Sequence, residues 1–286
     1  MVREEILRAG SARSLVGVVS LPDAIPCKAV GAVLLNAGLV HRVGPSRLWV
    51  SLARRLAQAG HGAYRVDFSG IGDSPDAAAS ERFEVLAPRE ARSAMDALGD
   101  AAHIGRFALI GLCSGAEIAF KAALDDPRVA ALVLINSPRF LEEPSAELVA
   151  SLERRQSARY YWRVALRNPR SWWKALRGKA DWRAIARAIA RRARASGAPN
   201  RAPQESADAK AFRTLRERGV KIHLVLSEGD WGQDYLEAIL GSDSMQNPAR
   251  AGIESMIVGH ADHMLTPLAA QRALLDKIAI WAEEWA

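Results

Sequence analysis

Cysteine is scarce: Cys27 and Cys113 are the two in 286 residues. They can close at most one intramolecular bridge, and their spacing matches no metal knuckle, which excludes disulfide-stapled and zinc-ribbon classes. Long apolar runs are missing as well. A stretch as apolar as Ala130-Ala131-Leu132-Val133-Leu134-Ile135 is only strand length, far short of the ~18 residues that a membrane-crossing helix needs. The first residues, Met1-Val2-Arg3-Glu4-Glu5-Ile6-Leu7-Arg8, mix charges where an export signal would be uninterrupted and apolar. These absences lead to the expectation of a reduced, cytoplasmic chain with no membrane span and no bound metal or cofactor.

What is present is an ordinary globular composition, 49% hydrophobic and 25% charged, of a length that suits one or two domains. The net charge of +7 is unevenly placed. Residues 139–218 hold 20 basic and 8 acidic side chains, leaving 19 and 24 in the rest of the chain. A surplus of this kind first suggests a polyanion. Yet the basic segment has no nucleic-acid motif, and Arg183, Arg187, Arg191 and Arg194 have the spacing of one solvated helix face. The expected partner is therefore an acidic substrate or carrier, not nucleic acid.

Short runs rich in Val, Ile and Leu recur at 15–20, 32–35, 63–67, 107–112, 130–135, 222–226 and 252–258. Continuous apolar runs suit strands buried on both faces of a parallel sheet. Helical patterns at 46–59, 87–102, 115–124 and 267–285 lie between and after them, and the alternation predicts a doubly wound α/β core. The run at 15–20 precedes any helix and is expected to pair antiparallel at one edge. Residues 139–218 interrupt the pattern. They are expected to form an inserted helical cap on a core of 1–138 and 219–286, with Trp162, Trp172, Trp173 and Trp182 packing on that core or lining a substrate pocket.

One motif carries chemistry. Phe107-Ala108-Leu109-Ile110 leads into Gly111-Leu112-Cys113-Ser114-Gly115 and then an amphipathic helix. A Gly-x-Cys-x-Gly pentapeptide between strand and helix is the setting of a nucleophile elbow, where the central side chain stands above the sheet at a helix N-terminus that favours the thiolate. Ser114 cannot take the central place, because Leu112 and Ala116 hold the positions where glycines would be needed. A lone cysteine is more often a small buried apolar residue, but this placement makes Cys113 the candidate nucleophile.

On these residues the chain resembles the α/β-hydrolase family, with cysteine where most members have serine. Dienelactone hydrolases, polyhydroxyalkanoate synthases and some thioesterases and acyltransferases share that substitution. Asp67-Phe68-Ser69-Gly70-Ile71-Gly72-Asp73-Ser74 matches the family's structural Asp-x-x-Gly-x-Gly-x-Ser turn. The resemblance implies an eight-stranded, mostly parallel sheet flanked by helices, and an oxyanion hole from the backbone N–H of Ser114 together with that of Gly38 or Leu39. It implies an acid in Ser227-Glu228-Gly229-Asp230, with Asp230 favoured over Glu228 and Asp234. It implies a base in Gly259-His260-Ala261-Asp262-His263, with His263 favoured over His260. His41 and Arg42 follow the oxyanion strand and are expected to face substrate or leaving group, while His61, His103 and His223 read as ordinary surface or core residues.

A cysteine acyl-enzyme is a thioester, which suits acyl transfer or thioester cleavage. The leading expectation is an acyl-thioester hydrolase or acyltransferase acting on a small-molecule acyl substrate, which an acidic acyl carrier protein could present to the basic cap. Residues 36–42 and 70–74 also resemble hydrolases associated with bacterial exosortase and exopolysaccharide systems, which implies a carboxylic ester substrate. A hydrolase-like binding protein with an inert Cys113 is the remaining reading.

Overall fold

The apolar runs assemble into one eight-stranded sheet. The computed structural model describes residues 2–23, 26–77, 81–141, 206–228, 232, 235–236 and 253–285. Strands β1 (Val2–Ala9), β2 (Leu15–Pro22), β3 (Val30–Leu35), β4 (Ala63–Val66), β5 (Arg106–Leu112), β6 (Val129–Ile135), β7 (Lys221–Ser227) and β8 (Ile253–Val258) lie in the order β1-β2-β4-β3-β5-β6-β7-β8. β2 runs antiparallel to β1 and β4, and every other neighbouring pair is parallel. From β3 the chain steps to β4 on one side, then returns to β5 on the other. Leu35 at the end of β3 is thereby set beside Gly111 in β5. In an open α/β sheet the crevice beyond the carboxyl ends at such a reversal is where ligands bind.

Both faces are covered by helices α1 (Leu48–Gln58), α2 (Phe83–Ala102), α3 (Ser114–Asp125), α4 (Ala207–Glu217) and α5 (Leu268–Ala282). On one face Leu52 and Leu56 of α1 and Leu274, Ile278 and Trp281 of α5 bury against Leu34, Ala108, Ile110 and Val133. α2, α3 and α4 cover the other, where the ring of Phe120 of α3 packs tilted against that of Phe212 of α4, centroids 4.6 Å apart. Full burial of one such leucine or phenylalanine is worth roughly 1.5–3 kcal/mol.

The run at 15–20 pairs antiparallel as expected, but one place in from the edge. β2 is flanked on both sides, and the edge on that side is β1, whose Arg3, Glu4, Glu5 and Arg8 leave it no continuous apolar run. Charges suit an exposed edge because they discourage further strand pairing. Glu4 is further used: Arg54 at 2.6 Å and Arg65 at 3.1 Å tie it to α1 and β4, and those hydrogen bonds hold its carboxyl down at about 2.

Two compact units are formed by the chain, Met1–Glu143 with Ala207–Ala286, and Pro144–Ser206. The four tryptophans of the expected cap lie outside the described residues. α4, within the expected 139–218 segment, belongs to the first unit, where Phe140 lies 4.9 Å from both Phe120 and Phe212. Asp208, in the first turn of α4, accepts a hydrogen bond from Leu141 N at 2.8 Å and another from the Tyr235 hydroxyl at 3.0 Å. Positions 141 and 208 are thus held side by side.

Candidate active site

Close packing forces the backbone at the end of β5. A Cβ on Gly111 would lie 2.2 Å from the Gly115 carbonyl oxygen, and one on Gly115 would lie 2.4 Å from the Leu35 carbonyl oxygen. With glycine at both places, α3 starts hard against β3 and β5. Cys113 makes the turn with φ 54° and ψ −120°, a conformation that costs a non-glycine residue about 1–3 kcal/mol and clusters at functional sites. Its N–H donates to the Ile135 carbonyl at 2.8 Å, and its own carbonyl accepts from Ala116 N at 3.0 Å. The thiol is half-buried at the margin of the α1/α5 core.

The loop after β3 comes to the same place. Asn36 is buried and donates to the Val66 carbonyl at 3.0 Å. Gly38, at φ +49°, donates its N–H to Ser114 Oγ at 2.7 Å, so the structure joins two of the expected oxyanion residues directly. Leu39 is 89% exposed.

Arg42 is held by the turn that follows β4. Its guanidinium is held by Asp67 and by Asp73, and its backbone N–H also donates to Asp67. These carboxylates hold the guanidinium above its usual range against the opposing effect of burial. Asp67 is fully buried and also accepts from Asp73 N at 3.1 Å, while Ser74 Oγ bridges the Asp67 carbonyl at 2.8 Å and Val16 N at 2.9 Å. The Asp-x-x-Gly-x-Gly-x-Ser turn is therefore an anchor for the 38–44 loop. Gly72 is required in it, since a Cβ there would meet an Asp67 oxygen at 2.2 Å. His41 is exposed, and neither it nor Arg42 lines the groove beside the elbow.

Asp230 and Asp234 lie outside the described residues. Glu228 is exposed and accepts from His260 N at 3.2 Å, so it ties the loop after β7 to the loop after β8. His263 is half-buried in that second loop. Next to it, Asp262 is held below the usual carboxylate range by the hydroxyl and N–H of Thr266. Met264 and Ala261 border the same apolar cluster as Cys113.

Three buried polar residues escaped the sequence reading. Glu117, one turn into α3, is paired with Lys121 at 2.6 Å and Arg139 at 2.9 Å, which fastens α3 to the chain beyond β6. Asn136 and Ser227 stand at the carboxyl ends of β6 and β7 and share a hydrogen-bond network with the histidine loop. A polar residue immediately after an unbroken apolar strand was the one available signal.

A groove of about 460 Å³ opens beside the elbow. Gly38, Leu39 and Ser114 form its end near Cys113, Ile71, Phe83 and Ile118 supply apolar walls, and Glu117, Lys121 and Arg139 add charge. Among the described residues no helix is long and apolar enough to cross a membrane.

Residues 31–218 match the family model described as alpha/beta hydrolase fold. Solved structures similar to the chain include a proline iminopeptidase of Mycobacterium smegmatis, with 15% identity, TM-score 0.56 and 99% and 98% of the two chains covered. A dienelactone hydrolase of Anabaena variabilis also has 15% identity, with TM-score 0.55 over 99% and 98%. An alpha-beta serine hydrolase homologue of Coxiella burnetii has 13% identity and TM-score 0.53 over 97% and 95%. At these identities the likeness is one of fold. No curated protein matches the chain by sequence.

Proposed function

We propose that this chain, which belongs to the alpha/beta hydrolase fold family, is an acyl-transfer enzyme working through a thioester on Cys113. The observation that carries the reading is the cysteine at φ 54°, ψ −120° between two glycines that tolerate no side chain, at the start of α3. A strained, half-buried thiol at a helix N-terminus is placed for attack, since the helix's unpaired N–H groups favour negative charge there.

In the proposed reaction His263 takes the Cys113 proton and the sulfur forms a bond to the acyl carbon. Asp230 orients the imidazole and stabilises its charged form. The tetrahedral intermediate's oxygen is met by the Ser114 N–H and a second backbone donor. Since Gly38 N–H is already engaged by Ser114 Oγ, Leu39 is the second donor we favour. The leaving thiolate or alkoxide departs with the proton held by His263. Water or another nucleophile then attacks the thioester, His263 accepts its proton, and Cys113 is released. One backbone oxyanion donor is typically worth about 10²–10³ in turnover.

A substrate thioester suits this sulfur, because the first exchange is then nearly balanced in energy. The excess of 12 positive charges in residues 139–218 would favour an acidic acyl carrier protein in the cytoplasm as its bearer. Incubation with an acyl thioester followed by intact mass spectrometry tests the reading. An acyl adduct on wild type and none on Cys113→Ala is the expected result. Equal labelling of both proteins, or ester turnover that survives Cys113→Ala, would reject it.

A further inference from the structure

We propose that Asn136 and Ser227 act together as positioning residues for His263, fixing the loop that carries it against the ends of β6 and β7; the inference rests on His263 being the base. Asn136 is 1% exposed and Ser227 4%. The Asn136 amide nitrogen donates to Ser227 Oγ at 2.8 Å and to the His263 carbonyl at 2.7 Å, and its oxygen accepts from Ser227 N at 2.8 Å. Ser227 Oγ–H donates in turn to the Asp262 carbonyl at 2.7 Å. Both amide protons, the amide oxygen and the hydroxyl are therefore used. Reversing the amide would set oxygen against the His263 carbonyl, so the network accepts one orientation.

Backbone placement gives the arrangement its reach. Asn136 holds φ +46°, which turns the chain sharply just after β6, and its N–H donates to the Val225 carbonyl at 2.9 Å. The preceding carbonyl, of Ile135, accepts the N–H of Cys113 at 2.8 Å. Consecutive residues of one turn thus hold the nucleophile's backbone and the backbone of the proposed base. No regular ladder could do this, because β5 and β8 are separated by β6 and β7. Two consecutive carbonyls, of Asp262 and His263, are captured at once, which fixes the direction of the loop and with it the exit vector of the imidazole.

The test uses the full chain carrying Cys27→Ser, so that Cys113 is the sole thiol. Alkylation by iodoacetamide is followed by intact mass from pH 5.5 to 9.5, and folding is monitored by circular dichroism. His263→Ala is expected to lose reactivity at pH 6.5 and keep it at pH 9.5. Asn136→Gly, which tolerates the positive φ but has no amide, and Ser227→Ala are expected to fall at pH 6.5 by about tenfold with the pH 9.5 rate retained, as a misplaced partner would require. Loss of folding stability alone would lower the denaturation midpoint and leave the profile unmoved. A wild-type profile in Ser227→Ala and in any folded Asn136→Gly overturns the positioning role while His263→Ala still upholds the base. A wild-type profile in His263→Ala removes the base assignment, and the inference falls with it.

Discussion

Removing the Arg42 side chain would leave Asp67, fully buried, with backbone donors from Arg42 and Asp73 and no paired cation among the described residues. Breaking a buried ion pair from one side typically costs about 3–5 kcal/mol. Because the arginine is partly exposed, at 20% of its side chain, a loss of roughly 3 kcal/mol is expected for Arg42→Ala in urea denaturation. A substrate-contacting arginine would instead raise KM and leave stability unchanged. The two outcomes separate an anchor of the 38–44 loop from a binding group. At this scale the sequence was informative where chemistry is local. Gly111, Cys113 and Gly115 sit within five residues and specify their own geometry, whereas Asn136 meets partners 91 and 127 positions away. Its role depends on which strands become neighbours, and no spacing in the chain encodes that.

Elements were legible to the degree that burial made them apolar on both faces. β3, β5, β6 and β7 are such strands, and their positions follow from the runs themselves. β1 was not legible, because an exposed edge satisfies its charges with partners such as Arg54 and Arg65 and so has no apolar signature. α4 sat inside a basic stretch whose composition pointed to the insert, yet its Phe212 and Leu215 are buried in the first unit. Asp208 is what secures this helix to the chain leaving β6. Asp208→Ala deprives Leu141 N and the Tyr235 hydroxyl of their acceptor together. Leu141 is partly exposed, so its N–H can turn to water; the cost is that of the one buried hydroxyl, about 1–3 kcal/mol, and a stability loss of that size is expected in urea denaturation. A change below a few tenths would mean that α4 is held by its aromatic packing alone.

Across the whole molecule, acid should weaken the fold well before its carboxylates titrate. His223 lies within β7, 2% exposed and stacked 4.3 Å from Trp281 of α5. Neither ring nitrogen has a hydrogen-bond partner among the described residues. Burial pushes the imidazole down to about 4, against an opposing pull from Glu254 and with Lys277 and Lys221 adding to the depression. His61 is shifted the same way by burial, against the hydrogen bond it shares with the Val30 carbonyl. A histidine depressed in the folded state binds its proton more readily when unfolded. Its stabilisation is therefore intact above the ordinary histidine value near 6.5 and is lost as pH falls from there to about 4. For His223 the full loss is about 3 kcal/mol, and His61 adds to it with the same sign. Unfolding free energies measured in urea at intervals from pH 7.5 to 4 should decline accordingly. His223→Phe keeps an aromatic ring on Trp281 and has nothing to protonate, so it should flatten most of that decline. The same slope in the variant as in wild type would place the acid sensitivity elsewhere in the fold.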